Sequence, residues 1–481
     1  MSESPDPAAL RIAVVGHTNA GKTSLLRTLT RRVDFGEVSD RPGTTRHVER
    51  VDLRVDGRTA VRFFDTPGLE DAVTLLAHVQ TLEGASRPER IRRFLAGPEA
   101  HGTFEQEAKV LRTLLEEADA AFLVIDVREP VLPKFRDEVE LLGACGKPVM
   151  PVLNFVAHAA GQGAGEAEWR AMLAAAGLHA VVRFDAAAPF TGAERELYQD
   201  LGTLLPARRD ALRAVAVHLQ QEAQARRQAG CTLIAEGLVE IAAMRRQVAA
   251  EAMADETARR TEVNALRRDV TERAQHHVDT LLGLYGFREG DTAEAPLPQL
   301  QGRWTLDLFH PETLRQAGVR LGQGAAVGAA VGVVADLAVG GLSLGAGAAL
   351  GGALGGALAQ GWGPFGRRLV NRLRGTQELT VEDGVLFIVA DWQLRLLLAL
   401  ERRGHGSTAR VDTGTTPPAP GVAKALAAAV RATQPARGHA EWGRGKSFFG
   451  RHIDSEERRE AIADTAGRLA EAAALAEGAA A

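Results

Sequence analysis

The chain has 481 residues, a net charge of −4 and 25% charged residues. This length exceeds one ordinary core, so two or three domains are expected, and the charge balance shows no overall basic bias toward nucleic acid. Cys145 and Cys231 stand far apart and in no metal-ligand spacing, which is typical of free thiols in a reducing compartment. Residues 1–10 lack a basic segment followed by an apolar core. We therefore expect a disordered N-terminus, no cleaved secretion signal and a cytoplasmic protein.

Residues 11–206 alternate short apolar runs with longer amphipathic stretches. Four runs lack polar alternation, as strands of a parallel sheet covered on both faces do: 11–16, 120–127, 147–154 and 179–185. Two extended runs around Asp56–Gly57 instead predict a hairpin. We therefore predict an α/β domain over 11–206, with a mainly parallel sheet and one antiparallel edge.

The first apolar run leads into a glycine-containing loop, GHTNAGKT, which fits G-x-x-x-x-G-K-[ST] and precedes an apolar-periodic helix. Its glycines let backbone N–H groups turn toward phosphates, and Lys22 supplies a positive charge for the β and γ phosphates. The Thr23 hydroxyl can ligate Mg²⁺, and the helix N-terminus adds its dipole. The loop predicts a nucleotide site formed by Gly16, Asn19, Ala20, Gly21, Lys22, Thr23 and Ser24.

Two stretches further along extend this site. Asp65-Thr66-Pro67-Gly68 ends the second hairpin strand, where the acid can hold Mg²⁺ through water and the Gly68 N–H can contact a γ-phosphate. Thr45 lies between the first helix and the hairpin and could reach Mg²⁺ when a triphosphate is bound. We therefore predict Thr23, Thr45 and Asp65 as metal-binding residues.

The segments GHTNAGKTS (16–24), PGTTRH (42–47) and DTPG (65–68) resemble the motifs of the Era/TrmE-type bacterial P-loop GTPases. The resemblance covers about residues 10–205. The whole layout resembles bacterial proteins in which such a domain is fused to a C-terminal domain of unknown function. The resemblance implies GTP/GDP and Mg²⁺ as ligands, and a GTP hydrolase that is slow without an activating cation or partner and acts as a nucleotide-driven switch.

The base-reading motif of that family, Asn-Lys-x-Asp, is only partly present. Asn154 is retained as a nucleotide-binding residue, but Phe155 replaces the Lys and Ala157 replaces the Asp. The family's Asp accepts the guanine N1–H and N2 amine, which adenine lacks, so its loss leaves guanine specificity open. Phe155 could stack against the base edge, and Asp185 could replace the missing carboxylate.

The residue after Gly68 also departs from a common GTPase pattern. Leu69 stands where some GTPases carry a Gln that orients the attacking water. The resemblance then implies that K⁺, bound through Asn19, assists catalysis. The alternative is that Asn19 only hydrogen-bonds within its loop. We predict Asn19 and Lys22 as catalytic residues; a nucleotide-binding module with relaxed base specificity and little hydrolysis is an alternative function.

From residue 207 the pattern changes to that of a mostly helical C-terminal domain, 207–481. Residues 207–285 are rich in Ala, Arg, Glu and Gln and almost free of Pro and Gly, which is typical of long helices. Residues 383–404 predict a short strand entering a helix, and the tail from 454 predicts another helix.

The segment 321–361 is unusual, with thirteen glycines and one charged residue, Asp336. Glycines four residues apart make smooth helix faces for close packing, as in membrane helices. Two helices of about 18–20 residues would each just span a bilayer core. Weakly hydrophobic Ala and Gly, and the cost of Asp336 in lipid, count against a membrane span, and the alternative is a hairpin buried in a soluble helical domain. Disorder is the third interpretation.

The expected partners are a guanine nucleotide, a membrane lipid or membrane protein at 321–361, and a second copy of the GTPase domain through self-association. Membrane contact would place the protein at the inner membrane, as a peripheral or integral protein. No basic stripe or KH-like clamp is visible, so nucleic acid is not expected as a partner. An Era-like GTPase associated with RNA or the ribosome is the alternative.

Overall fold

The computed structural model describes residues 9–31, 48–156, 164–190, 192–286, 317, 333–335, 376–403, 418–443 and 455–478. The chain divides into two compact units, with most of the first before Gln224 and most of the second from Ala225 onward. The domain boundary at 206/207 stays a prediction. Residues 1–8, Thr45, Ala157 and most of 321–361 lie outside the described residues.

The first unit is built on a six-stranded sheet with the strand order β2-β3-β1-β4-β5-β6. Its strands are β1 (Leu10–Val15), β2 (Glu49–Val55), β3 (Arg58–Asp65), β4 (Ala120–Asp126), β5 (Val149–Asn154) and β6 (Val182–Arg183). Only β2 runs antiparallel to its neighbour, which confirms the predicted sheet. Asp56 and Gly57 both have positive φ, as a tight hairpin turn requires. Strand β6 is shorter than the predicted run 179–185.

Helices cover both faces of this sheet. They are α1 (Lys22–Thr30), α2 (Ala72–Thr81), α3 (Arg87–Ala96), α4 (Glu105–Arg112), α5 (Pro133–Ala144), α6 (Ala164–Ala175) and α7 (Ala193–Leu204). Alternate residues of β1 enter different cores: Ala13 and Val15 pack with residues of α2 to α6, whereas Ile12 and Val14 pack with residues of α1 and α7. Two-sided burial explains why the parallel strands lack polar alternation.

The second unit is mostly helical, as predicted, around a three-stranded antiparallel sheet with the order β7-β9-β8. Helix α8 (Arg209–Ala243) leads into β7 (Arg245–Ala249), followed by α9 (Ala250–Ala254) and α10 (Glu256–Leu284). Then come β8 (Val333–Ala335), β9 (Thr376–Val381), α11 (Asp383–Glu401), α12 (Pro420–Ala432) and α13 (Glu456–Gly478).

Three local features of this unit depart from the predictions. Strand β7 interrupts the helical region 207–285, because it pairs with the distant β9, and local composition carries no sign of that pairing. Within 321–361, Val333–Ala335 forms strand β8 rather than part of a helix. The run starting at 383 is helical from Asp383, with no strand at its start. Its residues 384–390 are all buried, and an apolar run buried on all sides is compatible with either a strand or a helix.

Among the described helices, none combines the length and the apolar character that crossing a bilayer requires. Apart from Val333–Ala335, the segment 321–361 lies outside the described residues, so its membrane interpretation stays a prediction.

Candidate functional site

The loop between β1 and α1 packs closely against the ends of β4 and β5. Gly16 has φ +140°, and a Cβ there would lie 2.4 Å from the carbonyl oxygen of Val124. Gly21 has φ +91°, and a Cβ there would lie 2.3 Å from Nδ2 of Asn154. Both positions therefore require glycine, for backbone conformation and for space.

Lys22 opens α1 with a buried side chain. Its Nζ donates hydrogen bonds to the carbonyl oxygens of Gly16, at 3.0 Å, and His17, at 2.9 Å. Burial lowers the pKa of this ammonium, and the nearby negative charge of Asp65 opposes that effect. The loop thus holds a cation against its own carbonyl groups, at the point where a phosphate chain is expected.

Thr23 and Asp65 form a buried pair beside Lys22. The Thr23 Oγ1 donates to Oδ2 of Asp65 at 2.6 Å, and Asp65 has no exposed surface. Burial raises the pKa of Asp65 to about 6, although the hydrogen bond from Thr23 and the charge of Lys22 act to lower it. Oδ1 of Asp65 is buried and makes no hydrogen bond to any described residue. A hydroxyl and a carboxylate with an unsatisfied oxygen are hard ligands of the kind that Mg²⁺ prefers.

The segment after Asp65 returns to the loop. A Cβ on Gly68 would lie 2.2 Å from Oγ1 of Thr18, so only glycine permits this approach. Leu69 donates its N–H to the carbonyl of Gly16 at 3.4 Å, and its side chain is completely buried. This apolar side chain packs into the core and so cannot orient a water molecule in the site.

Asn19 is the exposed residue of the loop and has φ 65°. Its side-chain amide makes no hydrogen bond within the part of the chain that the structure describes. The alternative in which this amide only braces its own loop therefore gains no support. Ala20 next to it is buried, and Ser24 is partly buried in the first turn of α1.

Asn154 ties three segments together at the end of β5. Its Nδ2 donates to the carbonyl of Ala20, and its Oδ1 accepts from the N–H groups of Phe155 and Ala186, all at 2.9 Å. The side chain is completely buried. Asn154 therefore positions the loops around the predicted base, and direct contact with a nucleotide stays a prediction.

Phe155 follows with φ 60°, and its ring lies against Gly21. The guanidinium of Arg128 lies over this ring, 3.8 Å from its centroid. Asp126, at the end of β4, holds Arg128 by accepting from Nε at 2.9 Å and from Nη2 at 2.6 Å. Arg128 was not among the residues predicted from the sequence, where the available signal was an acid two residues before it at the end of an apolar run.

Asp185 does not offer an open carboxylate to a base. It is 1% exposed, and its Oδ1 accepts from the N–H groups of Ala187 and Ala188 at 3.0 and 3.1 Å. These bonds shape the turn after β6, as Asx turns do. Asp185 is therefore placed to stabilise this turn, and the suggestion that it replaces the missing carboxylate of the motif gains no support.

A second group of polar residues, also missed in the sequence, lies behind the loop. His17 Nδ1 is 2.9 Å from Oε1 of Glu138 and 3.0 Å from the carbonyl oxygen of Leu69, and its Nε2 is 2.9 Å from Nζ of Lys134. Lys134 and Glu138 are four residues apart on α5 and so share a helix face. His17 thereby connects the loop with α5 and with the segment after Asp65.

Comparison with known proteins identifies the first unit. Residues 11–155 match the family model described as 50S ribosome-binding GTPase. The tRNA modification GTPase MnmE of Rhizobium johnstonii is 32% identical over 123 residues, 26% of this chain and 21% of that protein. GTPase Der of Xanthomonas oryzae pv. oryzae is 36% identical over 131 residues, 25% of this chain and 26% of that protein. The chain thus spans about a fifth to a quarter of the length of these curated relatives.

A solved structure of an Aquifex aeolicus Era variant bound to GDP and AlF4⁻ is 22% identical, with a TM-score of 0.27, and the match covers 37% of this chain and 50% of that one. Residues 170–466, more than half of the chain, match the model described as a domain of unknown function, DUF3482. The two family models confirm the predicted combination of domains. The chain therefore belongs to the DUF3482 family, and its N-terminal part is a P-loop GTPase domain.

Proposed function

We propose that this protein binds GTP with Mg²⁺, hydrolyses it slowly, and uses the change of nucleotide as a switch that acts through its helical C-terminal domain. The observation that carries the proposal is the buried Thr23–Asp65 pair, joined at 2.6 Å beside the Lys22 ammonium, in which Oδ1 of Asp65 has no partner among the described residues. A buried carboxylate oxygen without a donor is costly unless a ligand uses it.

Each residue of the site has a defined task in this proposal. Lys22 would donate to β and γ phosphate oxygens in place of its present carbonyl partners. Thr23 would hold Mg²⁺ directly, and Asp65 would hold it through water; Thr45 remains a predicted third ligand. When bound, Mg²⁺ neutralises charge that develops on the phosphates. The N–H of Gly68 would contact the γ-phosphate.

Hydrolysis must proceed without a glutamine after Gly68, because Leu69 is apolar and buried. Asn19 is the exposed loop residue whose amide makes no hydrogen bond to a described residue. We therefore assign Asn19 to holding a monovalent cation, K⁺, whose positive charge stabilises charge on the phosphates as an arginine finger does.

The switch would operate on residues 68–71. In the present structure Glu107 accepts from the N–H groups of Glu70 and Asp71 at 3.3 and 3.1 Å, and Leu69 contacts the loop through Gly16 and His17. Movement of Gly68 toward a γ-phosphate would change these contacts together. The fusion of both domains in one chain supports transmission to the C-terminal domain. Guanine specificity, self-association and the exclusion of nucleic acid remain predictions.

The test is a titration of the full chain with GDP, GTP and ATP in Mg²⁺ buffers containing Na⁺ or K⁺, with phosphate release measured in parallel. Lys22→Ala should weaken GTP binding by roughly 100-fold, since it removes a charge-assisted contact to phosphate. The control Lys109→Ala removes a partly buried lysine that pairs with Glu105 on α4, away from the phosphate loop in sequence, and it should leave binding within about twofold.

Chelation of Mg²⁺ should abolish phosphate release, and replacing Na⁺ with K⁺ should accelerate it by roughly tenfold or more. Asn19→Ala should bring the ratio of the rates in K⁺ and Na⁺ close to one. Binding of GTP without any Mg²⁺-dependent phosphate release would refute the hydrolase and leave a nucleotide-binding module. Unchanged K⁺ stimulation in Asn19→Ala would refute the role of Asn19.

A further inference from the structure

The proposed GTP-binding function leaves one chemical question, namely what distinguishes guanine from adenine. The motif carboxylate that reads the donor groups of guanine, N1–H and the N2 amine, is replaced by Ala157. Asp185 is 1% exposed, and its Oδ1 is occupied by backbone N–H groups. Guanine also carries two acceptors, O6 and N7, whereas adenine presents an amine donor in place of O6.

Arg128 is a cation that lies beside the base-reading motif. Its neighbour Phe155 occupies the motif position of Lys and lies against Gly21, with Cζ 3.3 Å from where a Cβ on Gly21 would be. The Arg128 guanidinium lies over that ring at 3.8 Å. The two strand ends are adjacent, because Asp126 pairs with Asn154 across β4 and β5. Arg128 thus lies beside the motif residues Asn154 and Phe155, where the proposed function would place the base.

The guanidinium is held in a way that leaves a donor edge open. Asp126 engages Nε and Nη2 from the side, and Oδ1 of Asp126 also accepts from the Arg128 N–H at 2.9 Å. Nη1 makes no hydrogen bond to a described residue, and the Arg128 side chain is 49% exposed. A side-on ion pair leaves the far end of the guanidinium free to donate. One N–H of Nη1 and one N–H of Nη2 are available there for two acceptors.

We propose that Arg128 is a specificity-determining residue that reads O6 and N7 of guanine with this open edge, replacing recognition of the donor groups by recognition of the acceptors. Asp126 and Phe155 are its positioning residues: the carboxylate fixes the fork and the ring supports its face. Adenine is rejected because its N6 amine brings a donor against the guanidinium, which has no acceptor.

The test uses the full chain and measures dissociation constants for four diphosphates: GDP, ADP, IDP and 2-aminopurine riboside diphosphate. IDP keeps O6 and N7 but lacks the N2 amine, whereas the 2-aminopurine nucleotide lacks O6. Wild type should prefer GDP to ADP by roughly 5- to 150-fold, the range of a bidentate arginine contact. IDP should bind within about threefold of GDP, since the group it lacks is not read. The 2-aminopurine nucleotide lacks O6 but keeps N7 and has no N6 amine, so it should bind more weakly than GDP and no more weakly than ADP.

Arg128→Ala should bring the GDP-to-ADP preference to about one while GDP still binds, which shows that the variant is folded. Arg128→Lys should restore part of the preference. The control Arg136→Ala removes an exposed arginine of α5 and should leave the preference unchanged.

Several results would overturn the inference while leaving nucleotide binding intact. These are a wild type that binds GDP and ADP equally, an Arg128→Ala variant that keeps the preference, or IDP that binds as weakly as ADP. Tighter binding of both nucleotides by Arg128→Ala would mean that Arg128 covers the pocket rather than reads the base, and would also refute it. Failure of all four nucleotides to bind would instead refute the proposed function.

Discussion

Replacement of Asn154 with alanine should destabilise the first unit more than the loss of so small a side chain alone suggests. The wild-type side chain joins the phosphate loop, the end of β5 and the turn after β6 through three hydrogen bonds of 2.9 Å. Alanine would leave the Ala20 carbonyl and the N–H groups of Phe155 and Ala186 without these partners. At about 1 kcal/mol for each bond, the free energy of unfolding should fall by about 3 kcal/mol.

Thermal unfolding of the full chain without nucleotide measures this loss. The relevant transition is the one that added GDP raises, because a ligand stabilises the unit that binds it. For a unit of this size, about 3 kcal/mol corresponds to a decrease in Tm of about 6–12 °C.

The matched control is Thr28→Val, which keeps the side-chain shape and removes a single buried hydrogen bond to the same turn, from Oγ1 to the Ala186 carbonyl at 2.8 Å. It should lower Tm by only about 2–4 °C. If Asn154→Ala lowers Tm no more than Thr28→Val does, the reasoning that Asn154 braces three segments is refuted.

Two further variants address the switch segment and the C-terminal unit. Gly68→Ala should lower GTP turnover by roughly tenfold, because its Cβ would lie 2.2 Å from Oγ1 of Thr18. The control Gly143→Ala on α5, where a Cβ meets open space, should leave turnover unchanged. Equal turnover in both variants would contradict this prediction. Glu240 accepts from Arg273, His277 and Arg458. Burial alone would raise its pKa, but the hydrogen bonds from His277 and Arg273 hold the pKa below its ordinary 4.5. Glu240→Gln should therefore cost about 3 kcal/mol at pH 7, and the gap to wild type, measured by urea unfolding, should shrink as the pH falls below about 4.5, where the wild type loses this contribution. A gap of the same size at pH 3 and pH 7 would show that the charge of Glu240 contributes nothing.

The sequence by itself determined the phosphate loop, the hairpin and the approximate positions of the parallel strands. These features depend on local requirements: glycine at Gly16 and Gly21, where φ is positive and space is absent, a turn at Asp56–Gly57, and strands apolar on both faces. Such requirements select residue types at fixed spacings, so a pattern in the chain is enough to identify them.

Only the tertiary structure decided what surrounds the loop. The bonds of Asn154 to Ala20 and Ala186, the stacking of Arg128 on Phe155 and the bond between Thr23 and Asp65 each join segments far apart in the chain. The same holds for β7, which is a strand because β9 pairs with it, and for α11, whose fully buried apolar run fits either secondary structure. Local composition cannot specify these features, because the hydrogen bonds and packing that select them come from residues distant in sequence and adjacent only after folding.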